Sequence, residues 1–357
     1  MADTDLSSAE LERLEFVEET QISFDSPAEA EAVREASREA QAQRTRGRFT
    51  DLLPRPSAKL ITGIAIVSAI VLFAIFGPMF AQDPYNSHNP SLQPPSTEHW
   101  LGTTKLGYDV FAQLATGSRG SLLIGLIAGV IALVLAVMFG VFAGYFGGFA
   151  DEALSLFTNI ILVIPGLPLV MVIAAYVQRA EGLGDMARSW LMIAIVLGIT
   201  GWAGSAVVLR SQARSLRSRE YVAAARVAGE KPGRIIFVEI LPNLVPLLAA
   251  QFLFGIIFAI LGEAGLSYLG LGATGSITWG TMLNDAQTGQ AVGTGAWWWF
   301  VPPGAMIAAL GAALSLINFA IDEVVDPKLR LAPQNARRVR KAAKAGIGIT
   351  EDAGALA

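Results

Sequence analysis

The chain has 357 residues, 53% of them hydrophobic and only 16% charged, with a mean hydropathy of +0.50. A soluble chain carries about 25% charged residues, and the apolar residues here gather into runs long enough to cross a bilayer core. This excludes a soluble enzyme or a nucleic-acid-binding domain and indicates an all-α polytopic membrane protein. The net charge of −4 averages two unlike parts, since residues 1–40 carry twelve acids and three arginines and the remainder has a net charge of +5.

Residues 1–45 form an acidic arm, rich in Ala, Glu and Ser. Such composition predicts a disordered segment or a loose helix. The arm lacks the basic start and apolar core of a signal peptide. The chain has no cysteine, which rules out disulfides, thiolate metal sites and thiol catalysis.

A six-span domain is predicted over 46–330, followed by a basic tail at 331–357. The expected spans are 60–81, 120–146, 153–177, 190–209, 244–269 and 298–321. Basic residues resist translocation and so set the orientation. Nineteen Lys/Arg fall between residue 41 and span 1, between spans 4 and 5, and after span 6; four (Lys105, Arg119, Arg179 and Arg188) fall on the other side. Both termini are therefore expected in the cytoplasm of a multi-pass cell-membrane protein in contact with lipid. The 1–2 and 5–6 loops are expected outside. The 5–6 loop keeps Ile277, Trp279 and Met282 and has one charge, Asp285, so it is expected to fold back against the bundle.

Small residues let membrane helices approach closely. Span 2 carries Gly125-xxx-Gly129 and Gly140-xxx-Gly144, and span 6 carries Gly304 and Gly311. Pro165 and Pro168 fall in the middle of span 3, where each removes a backbone donor. They predict a kink, either static or bent along a pathway. Glu263, near the outer end of span 5, is the ionisable group most nearly within a span and is expected to cap or pair at the mouth. Asp322 and Glu323 read as interfacial. His88 and His99 lie in the 1–2 loop and read as solvated, not as metal ligands.

Residues 220–243, EYVAAARVAGEKPGRIIFVEILPN, lie between spans 4 and 5 and are too polar for lipid. They read as a short helix, a turn at Gly229 and a second helix opened by Pro232. Tyr221, Ala224, Ala225 and Ala228 share one face by helical spacing. Alone, this is also the pattern of an amphipathic helix on lipid headgroups.

This segment resembles the coupling motif of the permease subunits of bacterial ABC importers. The triplet is Ala223-Ala224-Ala225, the glycine is Gly229 and the close is Leu241-Pro242. Three more stretches resemble the second ("C") permease type of the dipeptide/oligopeptide/nickel group. They are WLGTTKLGYDVFAQLATGSRGSLLIG at 100–125, EAGLSYLGLG at 263–272 with Trp279-Gly280, and NFAIDEVVDPKLR at 318–330. Tyr108 stands where that group usually has Arg, and the usual Glu of the triplet is alanine.

The resemblance implies the type I importer fold. It implies coupling to the ATPase through Glu220, Tyr221, Ala224, Ala225, Arg226, Gly229, Arg234, Leu241 and Pro242, with the two arginines paired to motor acids. It places Pro165, Pro168, Glu263 and Trp279 at the pathway or outer mouth. It further implies a second permease of similar fold, two ATPase subunits holding ATP and Mg, and an extracytoplasmic binding protein that delivers substrate near Trp279. No GxxxxGK[ST] loop occurs in this chain, so no nucleotide or other cofactor is expected on it. Peptide is the first expected cargo, then oligosaccharide, then nickel. An ion-coupled secondary transporter is the rival from another class, and a membrane enzyme or a purely structural subunit is weaker still.

Overall fold

The computed structural model describes residues 57–178, 189–273 and 275–325. The acidic arm at 1–45, Arg179 and Arg188, the Asp-Pro at 326–327 and the tail at 331–357 lie outside the described residues, as do the side chains of Asp322 and Glu323.

The regular structure of the described residues is helical, with loops between the helices and one isolated bridge between Thr103 and Asp109. In chain order the helices are α1 (Ala58–Phe80), α2 (Val110–Phe146), α3 (Gly148–Val163), α4 (Gly166–Gln178), α5 (Trp190–Thr200), α6 (Ala203–Arg217), α7 (Glu220–Val227), α8 (Pro232–Tyr268), α9 (Trp279–Thr288) and α10 (Trp297–Val325). Side-chain caps start several of them: Ser57 accepts from Leu60 N, Asp109 from Ala112 N and Ser189 from Met192 N. Each satisfies a donor that the first helical turn leaves without a partner.

Four of these helices (α1, α2, α8 and α10) are long and apolar enough to span a membrane, and two bent pairs bring the number to six if each pair is one span. The expected spans therefore need correction. Span 2 begins at Val110, ten residues before the expected 120, because Asp109 caps it there. At 37 residues, α2 is about 55 Å long and outreaches a hydrocarbon core of about 30 Å.

Span 3 is not one kinked helix. Its halves, α3 and α4, meet at 86°. Ile164, just before Pro165, is extended (φ −74, ψ 124), as the proline ring requires of the residue before it. Pro165 thus ends one helix, and Pro168 sits in the first turn of the next, where its missing N–H costs nothing. Span 4 is likewise bent by 42° between α5 and α6. Trp202 sits at that break, 97% buried, and its ring stacks 4.4 Å from Phe139. Phe139 belongs to a π-helical stretch of α2, Val137–Val141.

The largest correction concerns residues 232–243. They are not a separate helix before span 5 but the first part of α8, which runs unbroken from Pro232 to Tyr268. Pro242 has no N–H and its ring crowds the preceding turn. The helix passes this point in a wider π turn, Ile235–Ile240, with Leu241 N donating to Ile236 O.

Close packing follows the glycines of α2. A Cβ on Gly125 or Gly129 would run into the Ile260 or Ile256 side chain of α8, and one on Gly140 or Gly144 into the Ala206 or Arg210 carbonyl of α6. The two small-residue pairs thus receive two different helices. Gly304 and Gly311 do not act this way, since none of the described residues stands where their Cβ atoms would lie. Pro78 in α1 leaves the Ala74 carbonyl without its helical donor, and Arg119 of α2 fills the gap: Nε donates to Ala74 O at 2.6 Å and Nη2 to Ile75 O at 2.7 Å.

Candidate functional site

Apart from Pro165 and Pro168, the sequence-predicted residues fall toward opposite ends of α2, one group near α7 and the other near α9. At the α7 end, Val222 is wholly buried in a cluster with Tyr145, Leu209, Ile235, Ile236 and Ile240, and Ala225 packs against it from the edge. Val222 is the one fully sunk side chain of this helix. The helix closes on Gly229, whose φ of +80° suits a residue without Cβ. Gly229 N donates to Arg226 O at 3.0 Å and Glu230 N to Ala225 O at 3.1 Å, a Schellman turn.

Burial of Val222 turns the opposite face of α7 outward. Its centre is Val227, 90% exposed, flanked by Glu220, Ala223 and Ala224. The face expected from spacing, centred between Tyr221 and Ala228, is thus rotated by about a quarter turn: Ala225 points halfway inward, and Tyr221 lies on the flank. Arg226 and Arg234 are engaged within the chain. The Arg226 guanidinium sits 5.2 Å over the Tyr145 ring, and Arg234 pairs with Glu230. Leu241 is half-buried and Pro242 exposed within α8, so neither ends the element. Sequence reasoning missed Val222. Its signal was an apolar residue between charged and small ones, one turn from a helix start.

Beneath α7, Arg210 of α6 grips Asp151 of α3, with Nη2 to Oδ2 at 2.9 Å, and Ser155 adds a hydrogen bond to the same carboxylate. Each broken span is thereby tied to the other close to α7.

At the other end, α9 folds back onto the bundle as its apolar content predicts. Trp279 is wholly buried: its backbone N donates to Ser121 Oγ at 2.9 Å and its indole Nε1 to Ser118 Oγ at 3.0 Å. Among the described residues it anchors α9 to α2. Thr278 caps α9 reciprocally with Thr281. The Thr278 hydroxyl also donates to Glu263 Oε1 at 2.6 Å, and Ser267 Oγ donates to the same oxygen at 2.7 Å. Glu263, 1% exposed, thus ties α8 to the cap of α9. A Cβ on Gly280 would strike Ala264 Cα, so only glycine permits this approach. Ser118, Ser121 and Thr278 were not anticipated. Hydroxyls three residues apart on an apolar helix were the available signal.

Pro165 and Pro168 reach neither end group and lie exposed at the right-angled break. Of the two histidines, His88 is exposed as expected, but His99 is buried, with Nδ1 2.8 Å from Asp109 Oδ2. Asp109 therefore holds both the loop and the start of α2. Among the described residues no three His, Asp or Glu side chains gather as a metal site.

The family described as "Binding-protein-dependent transport system inner membrane component" matches residues 136–331, which run from the middle of α2 through α7 to beyond α10. The chain belongs to this family. The permease is 33% identical over 279 residues to the oligopeptide transport system permease protein OppC of Bacillus subtilis (strain 168), covering 77% of this chain and 88% of that one. It is 34% identical over 273 residues to the dipeptide transport system permease protein DppC of Alkalihalophilus pseudofirmus, covering 76% and 86%. It is 31% identical over 281 residues to OppC of Mycobacterium tuberculosis (strain H37Rv), covering 76% and 93%. The type I importer permease fold and the multi-pass membrane location follow from this membership and from the apolar helices.

Proposed function

We propose that this chain is one permease subunit of a peptide importer. It forms half of a pathway for di- or oligopeptides with a second permease of similar fold. Two ATPase subunits hold ATP and Mg and grip α7, and an extracytoplasmic binding protein delivers the substrate. Both termini and α7 face the cytoplasm. The observation that carries the reading is the construction of α7, pinned on one side by Val222 and presenting Val227 on the other. A push on that outer face reaches the spans through the Val222 cluster and through α8, which continues from the Gly229 turn without a break. The names of the relatives support peptide over oligosaccharide or nickel. Membership of a binding-protein-dependent family weighs against an ion-coupled carrier.

The test uses the complete importer reconstituted in liposomes with its binding protein. Val227→Glu places a charge at the centre of the outer face without touching the bundle. It is expected to leave thermal stability within about 0.5 kcal/mol and to lower ATP-driven tripeptide uptake at least about tenfold, the equivalent of about 1.4 kcal/mol at the contact. Gly229→Val, which strains the turn, is expected to uncouple uptake from ATP hydrolysis while the chain still inserts. Normal uptake by both variants, with the ATPase docked as before, would refute the reading.

A further inference from the structure

The first span is held at two points and stands off between them. A Cβ on Gly63 of α1 would strike the Ala313 carbonyl and the Ile317 side chain of α10, and one on Gly77 would strike the Ala115 methyl of α2. Close approach to two different helices at two levels leaves the stretch between them unfilled by protein. A cavity of about 510 Å³ opens there. Ile66, Ala69, Ile70 and Phe73 of α1 line it, joined by Leu114 of α2 and Met306 of α10. Every lining side chain is aliphatic, aromatic or methionine. Ile70 and Leu114 are buried at its floor and Ala69 is exposed at its rim, so the cavity is a groove open at the bundle surface.

Its depth places the groove in lipid. Ile66 to Phe73 covers about 10 Å of helix, and Met306 lies about 13 Å inside the Trp297 end of α10. Trp297, Trp298 and Trp299 gather there, as aromatic residues do at a membrane interface. One leaflet of the hydrocarbon core is about 15 Å thick, so the groove falls within the leaflet on the α9 side. Water does not settle in a purely apolar groove, and an empty one forfeits dispersion contacts along its walls.

The mouth carries a second signal. Trp100, 60% exposed, packs edge-on against Phe111 with 5.0 Å between ring centroids, and both rings line the groove. The neighbouring His99, bonded to Asp109, fixes the loop that carries Trp100. The Trp100 indole N–H has no acceptor among the described residues. A transmembrane helix laid in the groove has spent its carbonyls internally and offers that N–H nothing. A phospholipid offers a tail to the apolar walls and an ester or phosphate oxygen to the indole.

We propose that this groove binds an acyl chain of one phospholipid in the leaflet on the α9 side, with the Trp100 indole donating to the lipid's ester or phosphate oxygens. The tail completes the packing between α1 and the bundle. The site rests on the apolar spans and not on the peptide-importer reading.

The full chain is depleted of lipid in dodecyl maltoside micelles, and a chain-brominated phosphatidylcholine is titrated while indole fluorescence is followed. Quenching is expected to saturate near about one lipid per chain, and the saturating part should be missing from Trp100→Phe. Native mass spectrometry then counts the phosphatidylcholine retained by each variant. Ala69→Phe, which fills the groove, should lower retention at least about fivefold. Trp100→Phe, which keeps a ring but loses the donor, should lower it about threefold. Ile64→Phe, on the opposite face of α1, should leave it unchanged. Quenching that rises without saturating, or retention that survives Ala69→Phe, would overturn the site, and so would an equal loss from Ile64→Phe, which would mark an ordinary lipid coat. Full retention by Trp100→Phe would overturn the indole bond. If Ala69→Phe folds poorly, the titrations of wild type and Trp100→Phe decide. Loss of the retained lipid in the assembled importer would give the groove to the second permease and overturn the lipid assignment.

Discussion

Two short helices, α7 and α9, join long spans at opposite ends of this molecule and are built in contrary ways. The α9 helix sinks Trp279, Gly280, Met282 and Ala286, carries a reciprocal cap and is bonded to both α2 and α8. The α7 helix sinks Val222 alone and turns an apolar residue, Val227, into solvent. A helix with a full set of internal partners is a fixed part of the bundle. A helix with one partner leaves an apolar face to spare. Under the proposed function, the contrast separates the anchoring helix from the coupling one.

The contrast can be broken by measurement. Trp279→Ala should have the largest effect, about 3–5 kcal/mol of stability, read from thermal unfolding of the purified permease. If it cost no more than a substitution in α7, the two helices would not differ in kind. Val222→Ala should follow at about 2 kcal/mol and speed hydrogen exchange in α7 while leaving α9 unchanged. Glu263→Ala strands the Thr278 and Ser267 hydroxyls and should cost about 1–3 kcal/mol. Glu263→Gln keeps an acceptor oxygen in place and should cost less than half of that, and equal losses from the two would mean the carboxyl does not act through its accepted bonds. The smallest effect belongs to Arg226→Ala. It should cost about 0.5–1 kcal/mol and vanish in a Tyr145→Leu background, since the guanidinium then has no ring to cover.

Apolar runs and basic-residue counts made the helical membrane fold legible, because both report a one-dimensional quantity, transfer of a segment into lipid. The small residues at Gly125, Gly129, Gly140 and Gly144 announced close approaches that the bundle makes. Gly304 and Gly311, seven residues apart, suggested the same closeness but meet no neighbour among the described residues. A glycine pair says that a backbone is bare, not that another helix has come to it. The proline positions were visible in span 3, but not that the break reaches a right angle, which is set by where α4 finds its partners in α5. The Leu241-Pro242 end of the motif looked like a stop because proline usually closes or opens a helix. The π turn just before it lets α8 continue, and such a turn leaves little trace in composition. At the sites, sequence located α7 and the anchoring region of α9 but not the direction each faces. That direction is decided by Val222, Ser118 and Ser121, whose partners are distant in the chain.

The bond between Arg119 and the carbonyls of Ala74 and Ile75 has a consequence for how the chain is made. The first span is made with the Ala74 carbonyl left unpaired by Pro78, and the group that satisfies it is encoded 45 residues later. At about 5–20 residues per second of synthesis, that carbonyl waits a few seconds. An unpaired carbonyl is costly in lipid, so the first helix is expected to stay near water or the translocation channel during this interval and to enter the bilayer together with the second.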